Sequence, residues 1–244
     1  MEKINRKSSA RASIKLGELN YTPVLIALAV VLLTLVVLFL WKRKKTERSA
    51  VLLTGLCDSG KTCLFTNLML GGVRETFTSI KENVGFFKTE KGRELKVVDV
   101  PGHERLRSKF FDEYKNVAKA IVYVIDSVSV QKDIRDVADF LYTILADKAT
   151  TKIPVVVLCN KQDETLAKSE SAIKSMLEKE INIVRQTRKS QLQSVDNSSS
   201  SETFLGKSAG VDFDFEQVGQ RIRFVPCSAK EEDYNGLTTF LEGL

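Results

Sequence analysis

The sequence predicts an α/β protein: a doubly wound, mostly parallel sheet of six strands, preceded by one transmembrane helix. Three observations carry that reading. The run TPVLIALAVVLLTLVVLFLW at residues 22–41 has no charge. Beyond it, strand-like and helix-like segments alternate to the C-terminus. Between the first predicted strand and the first predicted helix stands GLCDSGKT, residues 55–62.

The apolar run comes first in the chain. Twenty residues at about 1.5 Å each span roughly 30 Å, the thickness of a hydrocarbon core. Thr34 is its only interior polar group, Pro23 suits a first helical turn, and Tyr21 and Trp41 stand where interfacial aromatics belong. The run is too long for a cleaved signal, and KRKK follows it instead of a small-residue cleavage site. The net charge of +6 is concentrated here: residues 1–48 hold ten Lys/Arg and three Asp/Glu, leaving 27 basic and 28 acidic residues beyond. That distribution favours a membrane flank over a nucleic-acid face, and direct nucleic-acid binding is not expected. Five basic residues precede the span and five follow it, packed into 42–48, so their density places the C-terminal side in the cytosol. The expected organisation is a short lumenal segment (1–21), the span (22–41), a basic cytosolic linker (42–49) and a globular domain (50–244). Cys57, Cys63, Cys159 and Cys227 have neither disulfide-framework nor zinc spacing, which suits a reducing compartment and small packing roles.

The remaining elements follow in order. AVLLT (50–54) is a short buried strand, and residues 62–70 form a helix that stops at Gly71-Gly72. VGFFKTEKGRELKVVDV reads as a hairpin turning near Lys91-Gly92. KAIVYVID (119–126) and IPVVVLCN (153–160) are continuous β-branched runs, as in strands covered on both faces. Between them Val130, Ile134, Val137, Phe140, Leu141, Ile144 and Leu145 recur at helical spacing. Residues 166–187 form a second amphipathic helix, RIRFVPC (221–227) a last strand, and LTTFLEGL opens a final helix. Residues 188–220, rich in serine and without periodicity, read as a flexible surface insertion.

A strand, then G-x-x-x-x-G-K-[ST], then a helix is the context of a phosphate loop. Gly55, Leu56, Cys57, Asp58, Ser59, Gly60, Lys61, Thr62 and Cys63 are its candidate contacts, with backbone N–H groups on the α- and β-phosphates, Lys61 on the β- and γ-phosphates and Thr62 on Mg²⁺. NKQD (160–163) follows a buried strand: Asp163 can accept two hydrogen bonds from the N1–H and 2-amino group of guanine, whereas adenine would leave it unpaired. Asn160 and Lys161 brace that loop and cover the ring. CSAK (227–230) follows the last strand and supplies Ser228, Ala229 and Lys230, with the Ala229 N–H near guanine O6. DVPG (99–102) provides Asp99, holding Mg²⁺ through water, and Gly102, whose N–H senses the γ-phosphate.

These motifs resemble the Ras/Arf superfamily of small GTPases. With the N-terminal span, TFTSI, DVPGHERLR, CNKQD and a polar insertion containing FLGK, the chain is similar to the family of signal recognition particle receptor beta subunits. The resemblance covers nearly the whole chain. It implies a P-loop GTPase fold that binds GTP and Mg²⁺ in the endoplasmic reticulum membrane. It also implies recruitment of the receptor's alpha subunit, and service to ribosomes and the translocon. It places nucleotide contacts across Thr76, Phe77, Thr78 and Ser79. The residue that carries Mg²⁺ there is open: spacing from Thr62 favours Thr78 or Ser79, while aligning NVGF with the Arf motif TVGF selects Asn83.

His103, the only histidine, occupies the position after D-x-x-G where most Ras-type proteins carry a water-orienting Gln. It is the candidate catalytic residue, provided its ring can swing toward the γ-phosphate. With no arginine finger identifiable in cis, slow hydrolysis is expected. Two other readings stand beside a GTP-dependent receptor subunit: an Arf-like tethered switch with an active hydrolysis cycle, and a degenerate GTPase kept only as an anchor. Intact Lys61, Thr62, Asp99 and Asp163 oppose the degenerate anchor, and a permanent span opposes the Arf-like switch.

Overall fold

The computed structural model describes residues 22–43, 48–72, 74–194, 205–206 and 211–244. The chain divides into two units, Met1–Lys45 and Thr46–Leu244. In the first, α1 runs from Thr22 to Arg43. Its described side chains, residues 23–37, are all exposed, although nearly every one is apolar. Among the described residues no helix is long and apolar enough to cross a membrane; side chains of α1 are described over fifteen residues, short of the roughly twenty that a span needs. The expected segment 1–21 and residues 44–47 of the basic linker lie outside the described residues.

The second unit is built on a six-stranded sheet. Its strands are β1 (Ala50–Thr54), β2 (Asn83–Lys88), β3 (Glu94–Asp99), β4 (Ala118–Asp126), β5 (Val155–Asn160) and β6 (Ile222–Pro226), in the order β2-β3-β1-β4-β5-β6. Only β2 runs antiparallel, as the arm of a hairpin closed where Thr89 N–H donates to Arg93 O and Arg93 N–H to Thr89 Oγ1 around Gly92. The central strands are apolar without alternation because both faces are covered. Helices α2 (Lys61–Leu70) and α6 (Asn235–Glu242) cover one face, burying Leu64, Leu237 and Leu241 against Val51, Leu53, Val122 and Val156. On the other face α3 (Glu104–Tyr114), α4 (Val130–Ala146) and α5 (Glu170–Ser194) bury Phe111, Phe140, Leu141, Ile173 and Leu177 against Leu52, Ile121, Tyr123 and Val157. This winding brings the loops after β1, β3, β4, β5 and β6 to one edge of the sheet, where such folds hold ligands.

Two elements differ from the sequence expectation. Helix α3 is not among the elements expected from the sequence, because ERLRSKFFDEY has no strong apolar periodicity; Phe111 alone of its residues is fully buried. The insertion is not passive over 188–220. Helix α5 continues to Ser194, and Leu205, Phe213 and Phe215 are buried in the core. The Phe215 ring meets Phe213 at 5.2 Å and Phe224 at 5.1 Å, both edge-on. Arg185 of α5, 1% exposed, donates to the carbonyls of Leu205 and Val211 and to Asn182 Oδ1, tying the returning chain to the helix. Three apolar side chains within a polar stretch are enough to dock it, because each buried aromatic or leucine contributes about 1.5–3 kcal/mol. Residues 195–204 and 207–210 lie outside the described residues.

Candidate nucleotide-binding site

Loop 55–60 leaves β1 and turns directly into α2. Gly60 adopts φ +89, and a Cβ there would fall 2.1 Å from Asn160 Nδ2, so only glycine lets the two loops meet. Asp58, with φ 57, is one of three non-glycine residues at positive φ among those described, and Lys161, with φ 67, is another. Both stand in the loops expected to hold nucleotide, where such conformations concentrate.

A cleft of about 310 Å³ opens over this loop, lined by Cys57, Asp58, Gly60, Lys61, Thr62, Cys63, Thr76, Phe77, Thr78, Ser79 and Gly102, with Val100 and Pro101. Lys61 is 6% exposed; its Nζ donates to Leu56 O at 2.5 Å and Ser59 Oγ at 3.3 Å. Burial lowers its pKa, opposed by the negative charge of Asp99. That is a cation held without a full countercharge, suited to an anion entering the cleft. Gly102 lies so near that a Cβ on it would come 2.6 Å from Lys61 Nζ and 2.7 Å from the Cys57 amide. The D-x-x-G backbone and the phosphate loop are therefore in direct contact.

Asp99 is fully buried. Its Oδ2 accepts from Thr62 Oγ1 at 2.8 Å and Asn83 Nδ2 at 3.0 Å, while its Oδ1 has no hydrogen-bond partner. Burial raises its pKa, and the bonds from Asn83 and Thr62 and the charge of Lys61 pull it back. A desolvated carboxylate with an unpartnered buried oxygen beside a threonine hydroxyl fits a hard, hydrated cation such as Mg²⁺. Mg²⁺ characteristically takes one or two protein oxygens and completes its shell with water and phosphate. From the TFTSI segment it is Ser79, at 3.2 Å, that meets Thr62 Oγ1, and Asn83 bridges Ser79 Oγ at 3.1 Å to Asp99. Thr76 and Thr78 line the cleft without a bond to this cluster, and Phe77 is 86% exposed.

The loops after β5 and β6 form a second cluster joined to the first through Asn160. Its Nδ2 donates to Ser59 O at 2.8 Å, and its Oδ1 accepts from Ala229 N–H at 2.9 Å and Cys227 Sγ at 3.3 Å. The Ala229 amide, expected near a guanine O6, thus meets Asn160 in this arrangement. The Asp163 side chain is 7% exposed; Ser228 Oγ donates to its Oδ1 at 2.7 Å, and Lys230 Nζ stands 3.9 Å from its Oδ2 at the rim. Lys161 extends to Asp126 Oδ2 at 2.6 Å. Gly55 passes beneath Val124 and lies behind the cleft. Burial pushes the Cys159 thiol up to about 12 and raises Cys63 and Cys227 as well, so these thiols stay protonated.

His103 does not line the cleft. Its ring caps α3, with Nδ1 accepting from Arg105 N–H at 3.3 Å. Three residues that build the site were not selected from the sequence: Asp126, which holds Lys161; Asn67, which donates to Ala229 O at 2.6 Å; and Gln162, which donates to Ser127 Oγ at 2.9 Å. An aspartate ending the apolar strand VYVID was a usable signal for the first, and Gln162 sits within the NKQD motif itself; Asn67, in a helix interior, carries none.

Residues 46–222 match the family model described as signal recognition particle receptor beta subunit. The beta subunit of the receptor from Rattus norvegicus is 43% identical over 227 residues, covering 91% of this chain and 84% of that one. A solved structure of the mammalian receptor superposes with a TM-score of 0.71 at 40% identity, covering 80% of this chain and 98% of its own. Arf-like proteins are further away: ADP-ribosylation factor-like protein 14 of Mus musculus is 31% identical over 122 residues, 50% of this chain and 63% of that one.

Proposed function

The chain belongs to the family of signal recognition particle receptor beta subunits, and from that premise we propose that it binds GTP with Mg²⁺ and, in that state, recruits the receptor's alpha subunit at the endoplasmic reticulum membrane. Residues 22–41 form the single span and residues 50–244 the cytosolic GTPase domain. The complex receives ribosomes carrying nascent chains and passes them to the translocon.

The observation that carries the nucleotide reading is the Asn160 junction. One side chain bonds the phosphate loop and the loop after β6 while the neighbouring Asp163 carboxylate is held buried by Ser228. A fixed, desolvated carboxylate selects a base with two adjacent donors, because any other base leaves it unpaired. Lys61 and the amides of residues 57–62 orient the phosphates, and Thr62, Ser79 and Asp99 hold the cation, which neutralises phosphate charge when bound. Hydrolysis is slow: the only histidine is engaged as a helix cap, and among the described residues no arginine lines the cleft over Lys61 and Thr62, while Arg107 stands in the adjoining hollow beside Asp58 and Gly102. Arf-like relatives match over only half of this chain, which disfavours a rapidly cycling switch.

The test is competition on the purified full-length protein in detergent with Mg²⁺. GTP and GDP displace a fluorescent guanine nucleotide, and ATP does not at a hundredfold higher concentration. Equal displacement by ATP removes the role given to Asp163.

A further inference from the structure

The edge of the sheet opposite the nucleotide cleft carries an assembled basic face. Four segments meet there. Arg48 Nη2 donates to Ala149 O at 2.8 Å, and Ser49 N–H to Val117 O at 3.0 Å. Lys115 reaches Asp147 at 2.7 Å, Gln220 Nε2 donates to Thr150 O at 2.6 Å, and Val155 N–H donates to Arg221 O at 2.9 Å. Segments 48–49, 115–119, 147–153 and 220–223 are thereby knit into one surface, and they carry seven Lys/Arg against Asp147, with the exposed Asp112 at its margin. Lys115 is spent on Asp112 and Asp147. Arg48, Lys148, Lys152, Arg221 and Arg223 are exposed. This clustering stands out because residues 49–244 together hold 27 basic and 28 acidic residues. Negative helix C-termini at Tyr114 and Ala146 account for lysines beside them, but not for two arginines on β6.

We propose that this face docks on the anionic headgroups of the membrane that anchors the chain, so that the domain stands on the N-terminal ends of its parallel strands. The inference rests on the reading of residues 22–41 as a span. Residues 42–49 then tether β1 within roughly 28 Å of the bilayer even when fully extended, and they add their own basic charge. Each Lys or Arg near an anionic leaflet strengthens the attraction about fivefold, and the effect dies away within a Debye length of about 8 Å at physiological salt. Contact is therefore required, and salt must weaken it. Standing on this edge keeps the opposite edge, with the nucleotide cleft, open to the cytosol.

The test uses the full-length protein reconstituted into vesicles of phosphatidylcholine alone or with about a third phosphatidylserine. Exposed lysines are labelled with a water-soluble amine reagent and read by mass spectrometry. Lys148 and Lys152 should label several-fold more slowly in the anionic vesicles, with Lys230 at the nucleotide edge unchanged. Half-molar salt should erase the difference, and so should R221E/R223E, which leaves both reporter lysines and GTP binding in place. Equal labelling in the two vesicles, or protection that survives R221E/R223E, overturns the proposal. So does protection that appears in neutral vesicles only on adding RNA, which would assign the face to nucleic acid. Retention in the vesicles through an alkaline wash and GTP binding are measured on the same sample. A protein that passes both with unprotected lysines sinks this inference alone, whereas loss in the alkaline wash sinks its premise.

Discussion

Replacing Asn160 with alanine removes the side chain that bonds both the phosphate loop and the loop after β6. The residue is 1% exposed, and its removal leaves Ser59 C=O and Ala229 N–H without their partner at 2.8 and 2.9 Å. Each buried polar group left unsatisfied costs about 1–3 kcal/mol, so the change destabilises the domain by about 2–6 kcal/mol. For a unit of this size 1 kcal/mol moves the melting temperature by about 2–4 °C, so the nucleotide-free protein should melt at least about 4 °C lower. The two affected loops are those proposed to hold the base and the phosphates. A loss of about 2 kcal/mol in their alignment weakens GDP and GTP binding about thirtyfold. Thermal melts without nucleotide, and titration of a fluorescent guanine nucleotide, read the two effects separately. Melting within a degree of the unaltered protein, with affinity within threefold, would refute the claim that this side chain joins the site.

Three more outcomes follow from the same geometry. Asp163→Asn should exchange guanine preference for xanthine, because the amide presents a donor where xanthine has a carbonyl; competition with the two nucleotides checks it. Burial raises the pKa of Asp99, so the folded protein takes up a proton more readily there than the unfolded chain. Its contribution makes the nucleotide-free protein more stable as pH falls from neutral through that raised value, and less stable as pH rises. Asp99→Asn should flatten that slope in melting experiments and abolish the Mg²⁺ dependence of nucleotide binding. His103→Ala should leave GTP affinity unchanged while altering single-turnover hydrolysis, and loss of the α3 cap should cost about 1 kcal/mol of stability.

The sheet was legible because its central strands are uninterrupted β-branched runs and its ligand loops carry motifs of fixed spacing directly after them. What escaped is explained residue by residue. Helix α3 buries only Phe111 completely, so its periodicity is faint and its identity comes from its position after the D-x-x-G turn. The docking of residues 211–220 depends on Arg185 reaching carbonyls twenty and twenty-six residues away, a long-range pairing that local composition does not encode. Serine content dominated the reading of that stretch, while Leu205, Phe213 and Phe215 decide its packing. In the TFTSI segment spacing leaves Thr78 and Ser79 both open, with Asn83 as the alternative. Ser79 is the one beside Thr62 because Asn83, fixed in β2, bonds both Ser79 and Asp99.

The central claim is that bound GTP, not mere membrane attachment, makes this chain a receptor subunit. The segment Thr76–Ser79 and the turn at Gly102 line the cleft proposed to receive the γ-phosphate, and γ-phosphate contacts are what order such segments. The most direct test is the affinity of the full-length protein in detergent for the receptor's alpha subunit, measured with GTP and then with GDP. Binding at least a hundredfold tighter with GTP is the predicted result, and equal affinity in the two states would contradict it.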